Sequence, residues 1–487
     1  MSTAITWPLL EQLGVPLGRV VADSRQIKPG DVFLACMGEY TDGRNYIPQA
    51  LEAGAAGVLW DAADGFDWKA EWAVPNLPVP ELRLRAGEVA SLVNGEPSKH
   101  MTVIGVTGTN GKTSITTWLS HALSALGRKT AVIGTVGNGF PGQLEVATHT
   151  TPDAVSLQAR LATYRELGAQ AIAMEVSSHG LDQGRVAGVA FDVAVFTNLT
   201  RDHLDYHGDM EAYGAAKAKL FAWPGLKAAV INLDDAFGAR LAADCRARGV
   251  AVLGYGLKAG ELHCRELRVD EQGIHMSVAT PQGEARIGSG LLGLFNAANL
   301  LAALGALLAA GVALDDAARA LGSIEAAPGR MQRLGGAAQP LVVVDYAHTP
   351  DALEKALSTL RDIVPAGCKL YCVFGCGGDR DPGKRPLMGG IAGRLADVAV
   401  VTSDNPRTED PDKIIEQVVA GMGPGQRTLA DRAAAIAWAV DEAQAGDIVL
   451  IAGKGHEDYQ DVQGVKRPFS DVDQSLAALA KRVGGKL

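Results

Sequence analysis

Short apolar runs bounded by turn residues recur along most of the chain, and stretches with helical periodicity separate them. The runs of the middle region are KTAVIGTV, AIAMEV, VAVFTNL and AAVINL, and those of the last region are QPLVVVDYA, KLYCVFGC, VAVVTS and DIVLIAG. Segments between them, such as SLQARLATYREL, have the apolar spacing of a helix. This alternation predicts an α/β fold with largely parallel sheets covered by helices.

The chain of 487 residues is too long for one core and suggests about three domains. Four prolines precede a predicted boundary near residue 98, and a second boundary is predicted near Pro328. The predicted domains are therefore 1–98, 99–328 and 329–487. Residues 250–290 have the pattern of hairpins.

Composition and charge exclude several classes of protein. The net charge of −10 argues against a nucleic-acid partner held by a broad basic field. The start, MSTAITWPLLEQLG, has no secretory pattern, so we expect a cytoplasmic protein. The apolar stretch 300–314 is shorter than a bilayer span, so we expect a buried helix there and no membrane insertion. Cys368, Cys372 and Cys376 are spaced by four, which is only a weak metal pattern, and reduced thiols are expected.

A glycine-rich turn, GVTGTNGKT at 105–113, lies between an apolar strand pattern and a helical pattern. Backbone N–H groups at the start of a helix bind anions, Lys112 adds a positive charge, and the Thr113 hydroxyl can hold Mg²⁺. The strict phosphate-loop pattern has a glycine where Val106 stands here. The segment nevertheless predicts binding of a nucleoside triphosphate.

The form G-x-T-G-T-x-G-K-T resembles the loop of the Mur ligase family, the ATP-dependent amide-forming enzymes of peptidoglycan precursor synthesis. Other matching segments share their order over nearly the whole chain. They are DSRQIKPGDVF at 23–33, TDGRNYIPQA at 41–50, MEVSSHGL at 174–181, TRDHLDYHGDMEAY at 200–213, VVDYAHTPDALEKAL at 343–357, FGCGGDRDPGKRP at 374–386, SDNPRTEDP at 403–411 and GKGHEDYQ at 453–460.

The resemblance implies a three-domain architecture: an N-terminal UDP-substrate-binding domain, a P-loop-type central ATPase domain and a Rossmann-like C-terminal amino-acid-binding domain. It implies addition of meso-diaminopimelate to the D-glutamyl γ-carboxylate of UDP-N-acetylmuramoyl-L-alanyl-D-glutamate through an acyl phosphate, with ATP as co-substrate and Mg²⁺ as cofactor. The partners are small molecules, and a monomer is expected.

The resemblance also implies roles for residues near the phosphate loop. Thr113, Glu175 and His203 correspond to metal-site positions, and with Lys112 and Lys217 they are the predicted catalytic set. Lys217 matches a lysine that the family carbamylates, although spacing by itself does not separate it from Lys219. Without the family, Glu175 fits a helix cap and His203 fits a polar partner of a nearby aspartate equally well. The full set of predicted ATP contacts is Gly108, Thr109, Asn110, Gly111, Lys112, Thr113, Ser114, Asn296, Arg330 and Asp345.

For Asn296, a simple helix-capping role is the alternative to an ATP contact, because asparagine is common at helix starts. The predicted contacts of the UDP substrate are short hydroxyls, an amide and an arginine, and each hydroxyl alone is weak evidence. These contacts are Ser24, Tyr40, Thr41, Thr150, Thr151, Ser177, Gln183 and Arg185. The adjacent HTTPD tract departs from the pattern of some relatives, which leaves a role for His149 open.

Meso-diaminopimelate differs from lysine by a distal carboxylate, so a site that prefers it needs an additional cation. Arg407 in the DNPR motif suits that carboxylate, Arg380 suits the proximal one, and Glu457 with the Gly453 carbonyl suits the distal ammonium. A structural clasp by Arg407 is the alternative. The predicted diaminopimelate contacts are Arg380, Asp404, Asn405, Pro406, Arg407, Gly453 and Glu457.

Two other functions stay open at this point. One is a lysine-adding ligase of the same family. The other is a nucleotide-dependent regulator that binds a UDP-sugar and uses the loop to change conformation.

Overall fold

A computed structural model describes residues 5–38, 41–63 and 65–484. It divides into two compact units. The first comprises Met1–His263, Thr280–Gly283 and Asn299–Ala320, and the second comprises Cys264–Ala279, Glu284–Ala298 and Leu321–Leu487. The predicted three-domain boundaries stay a prediction. In the described part of the chain no helix has the length and apolar character needed to cross a membrane.

The first unit begins with a small parallel sheet. Its strands follow one another in chain order and are β1 Val20–Val21, β2 Val32–Ala35, β3 Gly57–Asp61 and β4 Asn76–Val79. Strands β2 and β3 are buried throughout, as expected of a sheet covered on both faces.

A larger sheet follows in the same unit, with the order β12-β11-β10-β5-β9-β6-β7-β8. Its strands are β5 Thr102–Thr107, β6 Thr130–Gly134, β7 Gly137–Phe140, β8 Gln143–Glu145, β9 Ala171–Glu175, β10 Val193–Phe196, β11 Ala228–Asn232 and β12 Ala251–Gly256. From β12 to β6 the pairs are parallel, which confirms the predicted alternation. The antiparallel pairs of β7 were not predicted.

Helices separate these strands. They are α1 Trp7–Glu11, α2 Ile47–Glu52, α3 Leu82–Val93, α4 Lys112–Ala125, α5 Ala154–Glu166, α6 Ser178–Asp182, α7 Leu204–His207, α8 Met210–Ala218 and α9 Ala236–Ala247. Short 3-10 helices occupy Ser24–Gln26, Gly43–Tyr46, Pro97–His100 and Lys219–Ala222. Helix α5 matches the predicted helix SLQARLATYREL.

The predicted hairpin region forms three strands that are neighbours in chain order: β13 Leu262–Asp270, β14 Gly273–Thr280 and β15 Gly283–Ser289. Helices α10 Leu294–Ala309 and α11 Leu314–Gly322 come next. The residues Leu300, Leu304 and Leu307 are fully buried, which confirms a buried helix in place of a membrane span.

The second unit is built on a sheet of order β16-β17-β21-β18-β19-β20. These strands are β16 Gln332–Gly335, β17 Leu341–Asp345, β18 Leu370–Phe374, β19 Val398–Val401, β20 Arg427–Thr428 and β21 Ile448–Ala452. A hairpin of β22 Tyr459–Val462 and β23 Val465–Pro468 lies outside this sheet. The helices are α12 Pro350–Arg361, α13 Lys384–Leu395, α14 Pro411–Val419, α15 Arg432–Glu442 and α16 Asp471–Gly484.

Strands β17, β21, β18 and β19 are parallel neighbours, so their carboxyl ends share one rim of the sheet. The four motif loops DYAHTP, GKGHE, GCGGDRD and SDNPR follow these strands in turn. The predicted gathering of these loops on one rim is therefore confirmed. In such sheets, ligands bind beyond the carboxyl ends of the strands.

Candidate functional site

The phosphate loop connects β5 to helix α4, which begins at Lys112. Gly108 and Gly111 have φ angles of 142° and 89°, a region that favours glycine. A Cβ at Gly108 would lie 1.9 Å from the Thr197 hydroxyl oxygen, so no larger residue fits there. The loop is thereby held close to the end of β10, with its backbone N–H groups at the start of a helix.

Two lysines donate to the loop itself. Lys112 Nζ lies 2.9 Å from the Gly108 carbonyl oxygen and 2.7 Å from that of Thr109. Lys217 Nζ donates to the same Gly108 oxygen at 2.9 Å. Two amines therefore converge on one carbonyl, and the Lys112 ammonium is the positive charge available to neutralise a polyphosphate chain.

Lys217 and Lys219 have opposite environments. Lys217 is 1% exposed, and burial together with the nearby Lys112 charge holds its pKa well below the ordinary value of 10.5. Lys219 is exposed and pairs with Asp182 at 2.7 Å. A neutral amine is the form that reacts with carbon dioxide, so the structure separates two residues that sequence spacing left equivalent.

Glu175 ends strand β9 and is buried beside helix α4. Its Oε2 accepts from the Thr113 hydroxyl at 3.1 Å, and its Oε1 accepts from the Thr135 backbone N–H at 2.8 Å. The carboxylate does not cap a helix. It offers oxygen next to the hydroxyl that a phosphate loop presents to magnesium, and this hard-oxygen pair fits Mg²⁺ chemistry.

His203, the third predicted metal ligand, precedes helix α7 with a φ of 52°. Its Nε2 lies 3.4 Å from Asp202 Oδ2, and its ring packs edge-on against His179 with centroids 4.8 Å apart. The side chain is about half exposed. The structure thus gives His203 the aspartate neighbour that the sequence suggested, and its metal role stays a prediction.

The remaining loop residues are anchored by the segment after β10. The Asn110 backbone N–H donates to the Asn198 side chain at 3.0 Å, and the Thr109 hydroxyl contacts Thr200. Ser114 is buried in the first turn of α4. These bonds fix the loop against the sheet before any ligand binds.

Four predicted contacts of the UDP substrate, Arg185, Gln183, Thr151 and Ser177, form one connected group. Arg185 donates to Gln183 Oε1 at 2.9 and 2.6 Å and to the Thr151 carbonyl at 3.0 Å. Thr151 contacts the Ser177 hydroxyl at 3.1 Å. Thr150 lies apart from these bonds, 3.0 Å from the Thr135 hydroxyl.

Gln183 and Arg185 line a cavity of about 290 Å³. His149 and Arg83 are among its other lining residues. Arg83 was missed by the sequence analysis, because a single arginine on helix α3 has no local signature. It adds a second arginine to a cavity whose lining also includes Asp153.

The other predicted contacts lie near the first sheet. Ser24 is buried and donates to Gln49 Oε1 at 2.9 Å. Thr41 is exposed, and its carbonyl accepts from the Gly38 N–H at 3.0 Å. Tyr40 lies outside the described residues.

Three predicted ATP contacts belong to the second unit. Asp345 ends β17 and accepts from the Met331 N–H at 2.8 Å, and burial raises its pKa. Arg330 lies over the Tyr346 ring at 5.0 Å, and its buried Nε has no acceptor among the described residues. Asn296 is the third residue of α10 and donates to the Leu292 carbonyl at 2.8 Å, so it is not the residue that caps the helix.

The rim loops of the second unit are bonded to one another. Asn405 Nδ2 donates to Glu457 Oε2 at 2.9 Å, which joins the DNPR and GKGHE motifs. Asp404 Oδ2 lies 2.4 Å from where a Cβ of residue 453 would stand, so Gly453 is required for this approach. Pro406 is buried in the same loop. Most predicted diaminopimelate contacts thus lie together.

The two predicted carboxylate-binding arginines differ. Arg407 has a φ of 50°, and its Nη1 donates to the Gly378 carbonyl at 2.6 Å, so it clasps a backbone oxygen and not an acidic side chain. Arg380 is exposed in the neighbouring loop. The Gly378 N–H also donates to the Asn405 carbonyl at 2.9 Å, which ties both arginine-bearing loops together.

Three family descriptions match the chain. They are "Mur ligase family, catalytic domain" over residues 18–93, "Mur ligase middle domain" over 106–307 and "Mur ligase, glutamate ligase domain" over 329–455. A UDP-N-acetylmuramoyl-L-alanyl-D-glutamate–2,6-diaminopimelate ligase of Chromobacterium violaceum is 63% identical, with 97% of each chain covered. A ligase of the same description from Neisseria meningitidis serogroup A is 54% identical, covering 97% of this chain and 98% of the relative.

Two solved structures are also similar to this chain. A ligase of that same description is 39% identical with a TM-score of 0.75, covering 99% of this chain and 98% of the other. The folylpolyglutamate synthase of Mycobacterium tuberculosis is 21% identical with a TM-score of 0.61, covering 81% and 94%, and shows a shared fold. With this identity over nearly the full length, the chain belongs to the Mur ligase family.

Proposed function

We infer that the chain is an ATP-dependent ligase that adds meso-diaminopimelate to the D-glutamyl γ-carboxylate of UDP-N-acetylmuramoyl-L-alanyl-D-glutamate. The observation on which this rests most directly is the bond between Asn405 and Glu457, at 2.9 Å. This bond brings together two motifs. The arginine of DNPR suits a carboxylate of the ligand, and the glutamate of GKGHE suits its ammonium. A distal carboxylate and a distal ammonium are the two groups that meso-diaminopimelate presents together.

Amide formation needs the carboxylate to be activated. A γ-carboxylate oxygen attacks the terminal phosphorus of ATP, the bond to ADP breaks, and an acyl phosphate forms. The amine nitrogen then attacks the acyl carbon, phosphate leaves, and the amine loses its proton. Two anions must approach in the first step, so cationic shielding of the phosphates is required.

The phosphate loop supplies this shielding in our proposal. The N–H groups from Gly111 to Ser114, at the start of helix α4, and the Lys112 ammonium bind the phosphates, which requires Lys112 to leave the carbonyls it contacts. Thr113 and Glu175 would hold Mg²⁺ with His203, and the metal would supply charge neutralisation of the phosphates. Lys217, once carbamylated, would contribute an anion beside this cation.

The remaining assignments divide between the two units. The group of Gln183, Arg185 and Thr151 would bind the anionic part of the UDP-peptide. Arg330 and Asp345 would bind the nucleotide, and the Arg330 Nε–H, which no described residue accepts, supports an anionic partner.

The direct test is ADP release with every reactant present and with each one omitted. We expect ADP only when the UDP-dipeptide and meso-diaminopimelate are both supplied with ATP and magnesium. Equal turnover with L-lysine would favour the lysine-adding alternative. ATP hydrolysis that ignores the amine would favour a nucleotide-driven regulator.

A further inference from the structure

Lys454, within the GKGHE motif, is an ammonium with no exposed surface. Its Nζ lies 3.0 Å from Asn405 Oδ1 and 3.1 Å from Glu457 Oε2. A buried charge is unfavourable unless it is paired and hydrogen-bonded, so the charge of this lysine requires both partners. Both partners are predicted diaminopimelate contacts, while Lys454 itself was not predicted to have a role.

Lys454 determines how the Asn405 amide is oriented. Asn405 Oδ1 accepts from Lys454 and also from the Asp461 backbone N–H at 3.0 Å. Because an ammonium and a backbone N–H can only donate, the amide oxygen must face them. The Nδ2 group is then directed to Glu457 Oε2, at 2.9 Å.

The two donors therefore bind the same oxygen of Glu457. Within the described residues no hydrogen bond reaches the other oxygen, Oε1, and the Glu457 side chain is 21% exposed. A carboxylate has acceptor capacity on both oxygens. Oε1 is thus the part of the site that remains open to a ligand.

We propose that Lys454 is a positioning residue for the amine end of the substrate, because it fixes Asn405 and Glu457 so that Glu457 Oε1 accepts from the distal ammonium of the diamino acid. The inference rests on the proposed function. Lys454 balances the Glu457 charge before the substrate binds, and the substrate ammonium then uses the second oxygen. Lys454 does not touch the reacting atoms.

The test combines Lys454→Met with a substrate that lacks one group. L-2-Aminopimelate keeps the reacting amine and both carboxylates but has no distal amine. We expect the variant to lose at least about tenfold in kcat/KM for meso-diaminopimelate, since a hydrogen bond to a charged group is lost. The affinity for L-2-aminopimelate, measured as substrate or as competitive inhibitor, should change less than about threefold, and the KM for ATP less than about twofold.

Lys466→Met is the matched control. Lys466 lies over the Tyr459 ring at 4.2 Å and Lys454 lies over it at 5.4 Å, but Lys466 is exposed. Lys466→Met should keep the wild-type kcat/KM for meso-diaminopimelate and the wild-type affinity for L-2-aminopimelate. Equal losses for both amines in Lys454→Met would show a merely structural lysine and overturn the proposal.

If Lys454→Met does not fold, the double variant Lys454→Met/Glu457→Gln removes the unpaired carboxylate as well. It should bind the two amines equally well, whereas a retained preference for meso-diaminopimelate would overturn the proposal. Wild-type protein that releases no ADP in response to meso-diaminopimelate would refute the proposed function itself, which is a separate outcome.

Discussion

The Thr113 hydroxyl donates to the buried carboxylate of Glu175 at 3.1 Å. This bond joins the first turn of the helix after the phosphate loop to the end of β9, the strand beside β5. Two residues 62 positions apart therefore present adjacent oxygens. Since magnesium prefers oxygen ligands, the pair is the best-supported part of the proposed metal site.

Glu175→Gln and Thr113→Val should each raise the magnesium concentration needed for half-maximal activity by at least about tenfold, because each loses an oxygen ligand or its orienting partner. Magnesium titration of ADP release measures this. Thr117→Val, one turn further along α4, is the control and should titrate like the wild type. Unchanged magnesium dependence in both site variants would place the metal elsewhere.

Lys217 should be carbamylated, because burial and the Lys112 charge lower its pKa and so increase the fraction of neutral, reactive amine. Protein freed of carbon dioxide should lose activity and regain it when bicarbonate is added. Intact mass measured without acid should show one added carboxylate group. Lys217→Ala should be inactive under both conditions, and Lys219→Ala should respond as the wild type does. Full activity without carbon dioxide would contradict this role.

The same lysine should make stability depend on pH. Between its lowered folded pKa and the ordinary value of 10.5, the unfolded chain binds a proton that the folded chain does not. The free energy of unfolding should therefore rise with pH across this window, by up to about 1.4 kcal/mol per unit. Urea denaturation in carbon-dioxide-free buffer should show a shallower rise for Lys217→Met than for the wild type. Identical slopes would mean that Lys217 keeps its proton when folded.

Arg407→Ala should raise the KM for meso-diaminopimelate by about tenfold or more and leave the KM for ATP within about twofold. The loss should be much smaller for L-lysine, which has no distal carboxylate. Because Arg407 also clasps the Gly378 carbonyl, Arg407→Lys serves as a second variant that keeps the charge. A parallel rise in both KM values would assign Arg407 a structural role only.

Breaking the buried pair of Arg432 and Asp471 should strongly destabilise the second unit. Both side chains are fully buried, with Arg432 Nε 2.7 Å from Asp471 Oδ1. Arg432→Met should cost about 3–5 kcal/mol in the free energy of unfolding because it leaves a carboxylate unpaired. Arg432→Met/Asp471→Leu should recover much of that loss. Arg394→Met, which breaks an exposed pair, should change stability by less than about 1 kcal/mol.

The sequence predicted where several motifs lie in the fold as well as which motifs are present. Parallel strands place their carboxyl ends on one edge, so the motifs after β17, β21, β18 and β19 had to lie on one rim. The strand–loop–helix pattern likewise predicted the phosphate loop despite Val106. Sequence periodicity failed for the β7–β8 and β22–β23 hairpins, because short strands with glycine and polar residues have no clear alternation.

The sequence by itself determined the alternating fold, the phosphate loop and the order of the rim motifs, since each depends on local pattern. Only the tertiary structure decided that Lys217 is buried while Lys219 is exposed. It also decided that Lys454 binds both Asn405 and Glu457. Burial and pairing depend on which distant segments pack together, and packing of that kind leaves no periodic trace in the neighbouring residues.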